Sequence, residues 1–329
     1  MALTDFVRQR DVAARLDAVI PPFRRQLEVP IRVRCSSGRS RLIGTAFDYA
    51  LRLELQLRNQ CASDGAWVAE HALHRVAEDA QLAEEVAGFG TVSIGSRSRR
   101  LEDSGILTFA QQAKRVVDGA RRFLRLRRGR SVRPSTRNVI ATHAIRLAKL
   151  DPYYRAGYPD PTVAKAGARE VREIVRLLSI VPFESLRHST TLLLNPIFGR
   201  YSSLVQGADA DLIVGDRLID IKVTKKPHVE RDMVRQLVGY MILAHRARRS
   251  DRSLPRLRSL EIYFARYGCM WSISTAAILG SPHYPDVERW FIGRAKAGKG
   301  AVLSLEEREA FGARRGRRVA CRCGAPTAP

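Results

Sequence analysis

The chain has 329 residues, enough for one large elaborated domain or two of average size, and either could bury a substantial core. Lysine and arginine total 57 against 33 aspartates and glutamates, a formal charge of +24. That balance favours a polyanionic partner such as nucleic acid over a small neutral substrate, although an arginine-rich genome would write such a chain for other reasons. Residues 1–10 carry Asp5 and two arginines in place of an apolar signal core, and no later stretch reaches the roughly 18 charge-free apolar residues of a membrane span, so a cytoplasmic protein without membrane segments is expected. Cys35, Cys61 and Cys269 stand singly and Cys321 and Cys323 share a basic tail; none of this reads as a disulfide framework, and reduced thiols are expected.

In chain order, the apolar run from Arg41 to Leu57 is too long and too weakly alternating for a strand and reads as a helix. Gly65 to Val86 and Leu107 to Leu126 continue the helical pattern, with glycine-, serine- and arginine-rich loops expected at Gly88 to Ser104 and Arg127 to Arg137. Asn138 to Leu150 and Thr162 to Leu178 read as two further helices. After Pro182 short apolar runs separated by turn residues predict strands at Thr190 to Phe198, Ala210 to Val214 and Leu218 to Val223. A helix over His228 to Ala247 and a hairpin over Leu260 to Ile273, turning at Tyr267 and Gly268, complete the pattern. The order helix, three strands, helix, two strands predicts an α/β fold, a mixed sheet flanked by helices. The division expected is a mostly helical region over 1–135, packed on the core and contacting DNA, a core over 136–313, and a basic, disordered tail over 314–329.

The most informative segment is Gly207 to Lys226, GADADLIVGDRLIDIKVTKK. Gly215 and Asp216 suit a two-residue turn of type II′, and pairing outward from it sets Val214 opposite Arg217, Leu212 opposite Ile219, and Asp211 opposite Asp220. Opposed carboxylates destabilise a ladder unless something compensates. A divalent cation would do so, because Mg²⁺ is held by one or two protein carboxylates plus waters and substrate phosphates. Lys222, two residues past Asp220, shares its face and could bind the scissile phosphate, position the attacking water or help deprotonate it, while Ile219, Ile221 and Val223 point to the opposite, core face. An ordinary exposed hairpin in which Asp220 and Lys222 neutralise each other is the plainer alternative.

Gly207 to Lys226 resembles the core motif of the PD-(D/E)XK nucleases, with Asp211 in the first acidic position, Asp220 in the second and Lys222 as the motif lysine. Downstream, Gln236 and Tyr240 share a helix face at i, i+4, and QLVGY resembles the Q-x-x-x-Y motif of RecB-like members. Upstream, GTAFDY from Gly44 to Tyr49 is similar to their G-T-x-x-H helix, whose histidine ligates metal, but Asp48 stands where the histidine would be. A carboxylate can replace imidazole on a hard cation. The rival helical acid is Glu173, or Glu170. The resemblance implies a restriction-endonuclease-like core, Mg²⁺ or Mn²⁺ as cofactor, DNA as substrate, and work in DNA processing, repair or defence against foreign DNA; a partner protein or homo-oligomer is compatible with it. The competing expectations are a catalytically inactive DNA-binding or assembly protein that kept the fold, and an RNA nuclease.

The densest positive stretch includes Arg121, Arg122, Arg125, Arg127, Arg128 and Arg130, with Arg133 and Arg137 following. Such residues neutralise phosphates and give sequence-independent, salt-sensitive affinity, although a charge run is ordinarily a solvated face. No helix-turn-helix or finger spacing points to sequence specificity.

Overall fold

The runs Leu192–Leu194 and Leu212–Val214 are apolar on both of their faces, so helices must cover the sheet from two sides. The computed structural model describes residues 2–59, 62–87, 103–187 and 191–298. Its elements are α1 (Leu3–Phe6), α2 (Arg10–Asp17), α3 (Ser40–Arg58), β1 (Ser63–Asp64), α4 (Val68–Ala87), α5 (Asp103–Arg127), α6 (Pro134–Ala148), α7 (Asp151–Ala156), α8 (Ala168–Ser179) and α9 (Phe183–Arg187). There follow β2 (Leu192–Leu194), α10 (Arg200–Leu204), β3 (Leu212–Val214), β4 (Arg217–Lys222), α11 (Arg231–Arg248), β5 (Ser259–Phe264), β6 (Cys269–Ser274), α12 (Thr275–Leu279) and α13 (Tyr284–Ala297). The mixed sheet runs β1 to β6 in sequence order. β1 and β2 pair parallel, as do β4 and β5, and the other neighbours are antiparallel. The parallel step from β4 to β5 needs a crossover, which α11 provides.

Alternate residues of β3 enter different cores. Leu212 and Val214, with Ile219 and Tyr263, pack against Phe47 of α3, Ile145 of α6 and Ile174 of α8. Ile213, with Leu218, Ile262 and Phe264, packs against Leu3, Leu16, Val238 and Phe291. The middle of the chain therefore covers one face of the sheet, and the two ends of the described chain cover the other. Helices before and after residue 135 share the first cluster. No helix among the described residues is long and apolar enough to cross a membrane.

The β3–β4 register is the one expected: Leu212 pairs with Ile219, Ile213 with Leu218 and Val214 with Arg217. In the turn, Gly215 has φ +63° and Asp216 does not take a positive φ, which meets the backbone demand of type II′ at its first position. Other boundaries differ. The loop expected up to Arg137 ends at Pro134, which starts α6 because a proline at the first turn lacks only an N–H that would be unpaired there anyway. The helix expected from Thr162 starts at Ala168. Asp160 Oδ1 accepts the Thr162 amide at 2.7 Å, and Lys149 Nζ gathers the carbonyls of Thr162 and Lys165, both at 2.9 Å, so those carbonyls are turned out of a helical ladder. The strand expected over Thr190 to Phe198 shortens to β2, and α10 follows it. The loop expected at Gly88 to Ser104 lies outside the described residues up to position 102, as does the tail after 298.

Glu173, a rival for the helical metal ligand, is committed elsewhere. Its side chain and that of Arg266 are both fully buried, with Arg266 NH2 2.6 Å from Glu173 Oε1. Glu173 Oε2 accepts the amides of Ser36 and Ser37, each at 2.9 Å. Burial would raise its pKa, but the bonds from Arg266, Ser36 and Ser37 outweigh it and hold the carboxyl at about 2. Removing one partner of such a pair leaves an uncompensated buried charge, so Glu173→Gln should lower the unfolding free energy at pH 7 by roughly 3 kcal/mol in a urea titration. A depressed carboxyl stabilises fully above its unfolded pKa, near 4.5, and loses that contribution as pH falls through about 2. The gap between variant and wild type should therefore narrow across that window; a gap constant down to pH 2 would count against this role.

Candidate active site

The candidate site forms where β3 and β4 run out at the same end of the sheet. Backbone pairing stops at Leu212 and Ile219, one residue short of the two acids. There the Asp211 side chain takes over from the ladder: its Oδ2 accepts the Ile221 amide at 2.6 Å, while its carbonyl accepts the Asn195 amide at 2.9 Å. Asp220, on the middle strand β4, is 3% exposed. Lys222 Nζ stands 2.7 Å from Asp220 Oδ2, an ion pair by distance that lacks the direction of a hydrogen bond. Lys222 Nζ also donates to Gln236 Oε1 at 3.2 Å. Gln236 Nε2 then donates to the Tyr240 hydroxyl at 3.1 Å, and that hydroxyl donates to the Asp209 carbonyl at 2.8 Å. A polar chain thus runs from the strand lysine along one face of α11.

The charges are coupled. Burial, then the Asp220 and Asp48 carboxylates, push the Asp211 carboxyl well above its ordinary range despite Lys222 and the Ile221 amide. Burial works to lower the Lys222 pKa, but Asp220 and Asp211 outweigh it and raise it. Burial and the same two acids raise the Tyr240 hydroxyl. Asp48, on α3 in the opposite helical layer, lines the same cleft as Asp211 and Tyr240. Its Oδ2 pairs with Arg52 one turn on, and its buried Oδ1 makes no hydrogen bond. Of the two proposed helical acids, Asp48 reaches the cleft and Glu173 does not; Glu170 faces Arg39 at 3.7 Å. Among the described residues no three histidine, cysteine or acidic side chains are grouped closely enough to hold a metal ion, so Asp48 is near Asp211 without completing a three-ligand set.

The cleft encloses about 770 Å³ between the two helical layers. Asp220, Lys222 and Gln236 are not on its wall. Sequence reasoning missed Arg52 and Asp64, which face each other at 3.8 Å beside Asp48. The i, i+4 spacing of Asp48 and Arg52 was a readable signal for the first. Nothing marked Asp64, which sits in a two-residue strand and accepts from Trp67 Nε1 at 2.7 Å.

The basic run divides. Arg121 is partly committed within the fold: its guanidinium lies 3.7 Å from the Trp67 ring centroid and donates to Glu70 Oε1 at 2.6 Å. Arg137 is likewise bonded to Glu54 at 3.0 Å. Arg122, Arg125, Arg127, Arg128 and Arg130 are exposed at the end of α5 and in the loop after it. No family model matches the chain, and no curated protein or solved structure matches it either.

Arg121→Ala removes a cation–π contact and a charged hydrogen bond and should cost roughly 1–2 kcal/mol of stability in denaturant unfolding. Arg122→Ala and Arg125→Ala should stay within about 0.5 kcal/mol of wild type. Equal effects at all three positions would mean that Arg121 is as solvated as its neighbours.

Proposed function

We propose that this protein is a metal-dependent nuclease that hydrolyses DNA phosphodiester bonds, with a restriction-endonuclease-like core of the PD-(D/E)XK type, RecB-like in its motifs. The observation that carries the reading is the chain of polar contacts from Asp220 through Lys222 and Gln236 to Tyr240, with Asp211 bonded to the Ile221 amide between the two strand residues, all at positions the motif alone picked out. Two carboxylates suit a hard cation that takes the rest of its shell from water and phosphate: Asp211 and Asp220 offer the oxygens, and Asp48 Oδ1, a buried acceptor without a hydrogen bond, lies near them without completing a three-ligand set. Those residues would hold Mg²⁺ or Mn²⁺, which supplies Lewis acidity at the phosphate and a lowered pKa for a bound water.

Lys222 keeps its proton between two carboxylates, so it acts as a fixed positive charge for a phosphate oxygen. Gln236 orients that ammonium, and Tyr240 holds Gln236 in turn. The exposed arginines after Leu124 add phosphate contacts outside the cleft. One observation favours a second reading, DNA binding without cutting: Asp48 is paired with Arg52, which makes it a counter-charge before it is a ligand.

Incubated with linear and circular, single- and double-stranded DNA, the protein should cut with Mg²⁺ and not with EDTA. Asp220→Ala and Lys222→Ala should each lower the rate by about a hundredfold or more, the scale of removing one electrostatic stabiliser. DNA binding that persists without cutting, unchanged in both variants, would move the assignment to the second reading. Independently of turnover, Mg²⁺ should raise the melting temperature of the wild type by binding the native state. Asp211→Asn should melt at least as high as the wild type in EDTA, because it relieves repulsion with Asp220, and should lose the response to Mg²⁺. A variant that still responds would exclude Asp211 as a ligand.

A further inference from the structure

The acidic end accounts for only part of the cleft. His71 of α4 and Tyr154 of α7 also line it, with Arg155 beside them and Ile197 of the loop after β2. The two aromatic rings lie 5.8 Å apart between centroids with their planes 36° apart, in contact with each other at the cleft. Tyr154 is 42% exposed and Ile197 38%, so two of the large apolar side chains left open to solvent lie in this one cleft. The exposure is not looseness. Arg75 NH1 donates to the Tyr154 carbonyl at 2.9 Å, and the neighbouring Tyr153 is buried, bonds Asp79 and lies under the Arg75 guanidinium. The ring is therefore presented to the cleft from a fixed backbone.

Every nucleobase has a π-face, and stacking on aromatic side chains holds unpaired strands with little regard to sequence, whereas bases in a duplex have both faces covered by their neighbours. At about 770 Å³ the cleft is in the size range that takes a small ligand, room enough for part of one strand beside these rings. We infer that the His71–Tyr154 pair is a stacking subsite for an unpaired nucleobase, drawing a single DNA strand into the cleft that Asp211 also lines. What happens at Asp211 rests on the nuclease reading; the binding does not.

The test measures affinity for a short single-stranded oligonucleotide and for its duplex, in EDTA so that no cutting intervenes. Tyr154→Ala should weaken single-strand binding about tenfold, the scale of one lost base stack, while Tyr154→Phe stays within about twofold and duplex affinity moves by less than that in either variant. An abasic position scanned along the oligonucleotide should cost the wild type about tenfold at one or two places and cost Tyr154→Ala nothing further there, because both changes remove the same contact. An unchanged single-strand affinity in Tyr154→Ala, equal losses for strand and duplex, or no abasic position that distinguishes the proteins would overturn the subsite. Parallel cutting assays with Mg²⁺ keep the two readings apart. Cutting with an unmoved Tyr154→Ala affinity sinks the subsite and leaves the nuclease. A tenfold loss in a protein that never cuts keeps the subsite and sinks the nuclease.

Discussion

Both faces of the sheet are covered, and everything polar about the site follows from that. Leu212, Ile213 and Val214 are all buried, as are Leu218 and Ile219, so a carboxylate on these strands has only the strand ends in which to keep partners. An unpaired buried carboxylate costs several kcal/mol. Asp220 meets the requirement through Lys222, and Lys222 through Gln236. The consequence reaches into α11, whose buried residues are otherwise mostly apolar, Val234, Leu237, Val238 and Met241 among them, and which nonetheless carries Gln236 and Tyr240 on the turns facing β4. The polar pair on the helix and the ion pair on the strand are one unit, because neither would be tolerated in a dry layer without the other.

Charge tells a similar story at larger scale. A formal +24 invites a picture of arginines spread over a DNA-binding face. Many of them are instead counter-charges to the chain's own acids: Glu54 is held by Arg58 and Arg137, Glu288 by Arg246 and Arg249, and Asp17 by Arg231 and Arg235. Density of arginine along the chain is therefore a poor guide to the surface field. The run from Arg121 to Arg130 shows why, since its first member stacks on Trp67 while those after Leu124 face solvent. What decides each case is which helix lies alongside.

The same distinction separates what could be read in the sequence from what could not. The β3–β4 hairpin was legible because its information is local: a glycine where a positive φ is needed, a short apolar run on either side, and a register that the turn fixes. Gln236 and Tyr240 were legible for the same reason, being one turn apart. Glu173 was not. It has the look of a solvated helix residue, and only Arg266, 93 residues further on, makes it a buried structural acid. The helix start at Thr162 failed likewise, because Lys149 draws the carbonyls out of line from a neighbouring element. The aromatic wall of the cleft had no sequence signature, since His71 and Tyr154 meet only through the packing of α4 on α7.

Acids also gather in the cleft and just behind its wall, and their partners are unequal. Asp48 has Arg52, and Asp220 has Lys222. Asp211, among the described residues, has the Ile221 amide and no ion pair of its own. Burial, and then its neighbours Asp220 and Asp48, make its charge harder to hold, which is why its carboxyl is pushed up. A phosphate entering the same cleft would add negative charge at the point least able to accept it, and at contact distances such repulsion amounts to several kcal/mol in a partly dry site. On the nuclease reading, a DNA strand therefore cannot settle against Asp211 unless a cation arrives before it or with it. The opposing attraction must come from elsewhere along the strand. Two such sources lie within reach of the chain's own residues: arginines outside the cleft, which act on phosphates, and a stacking surface inside it, which acts on a base and is indifferent to charge.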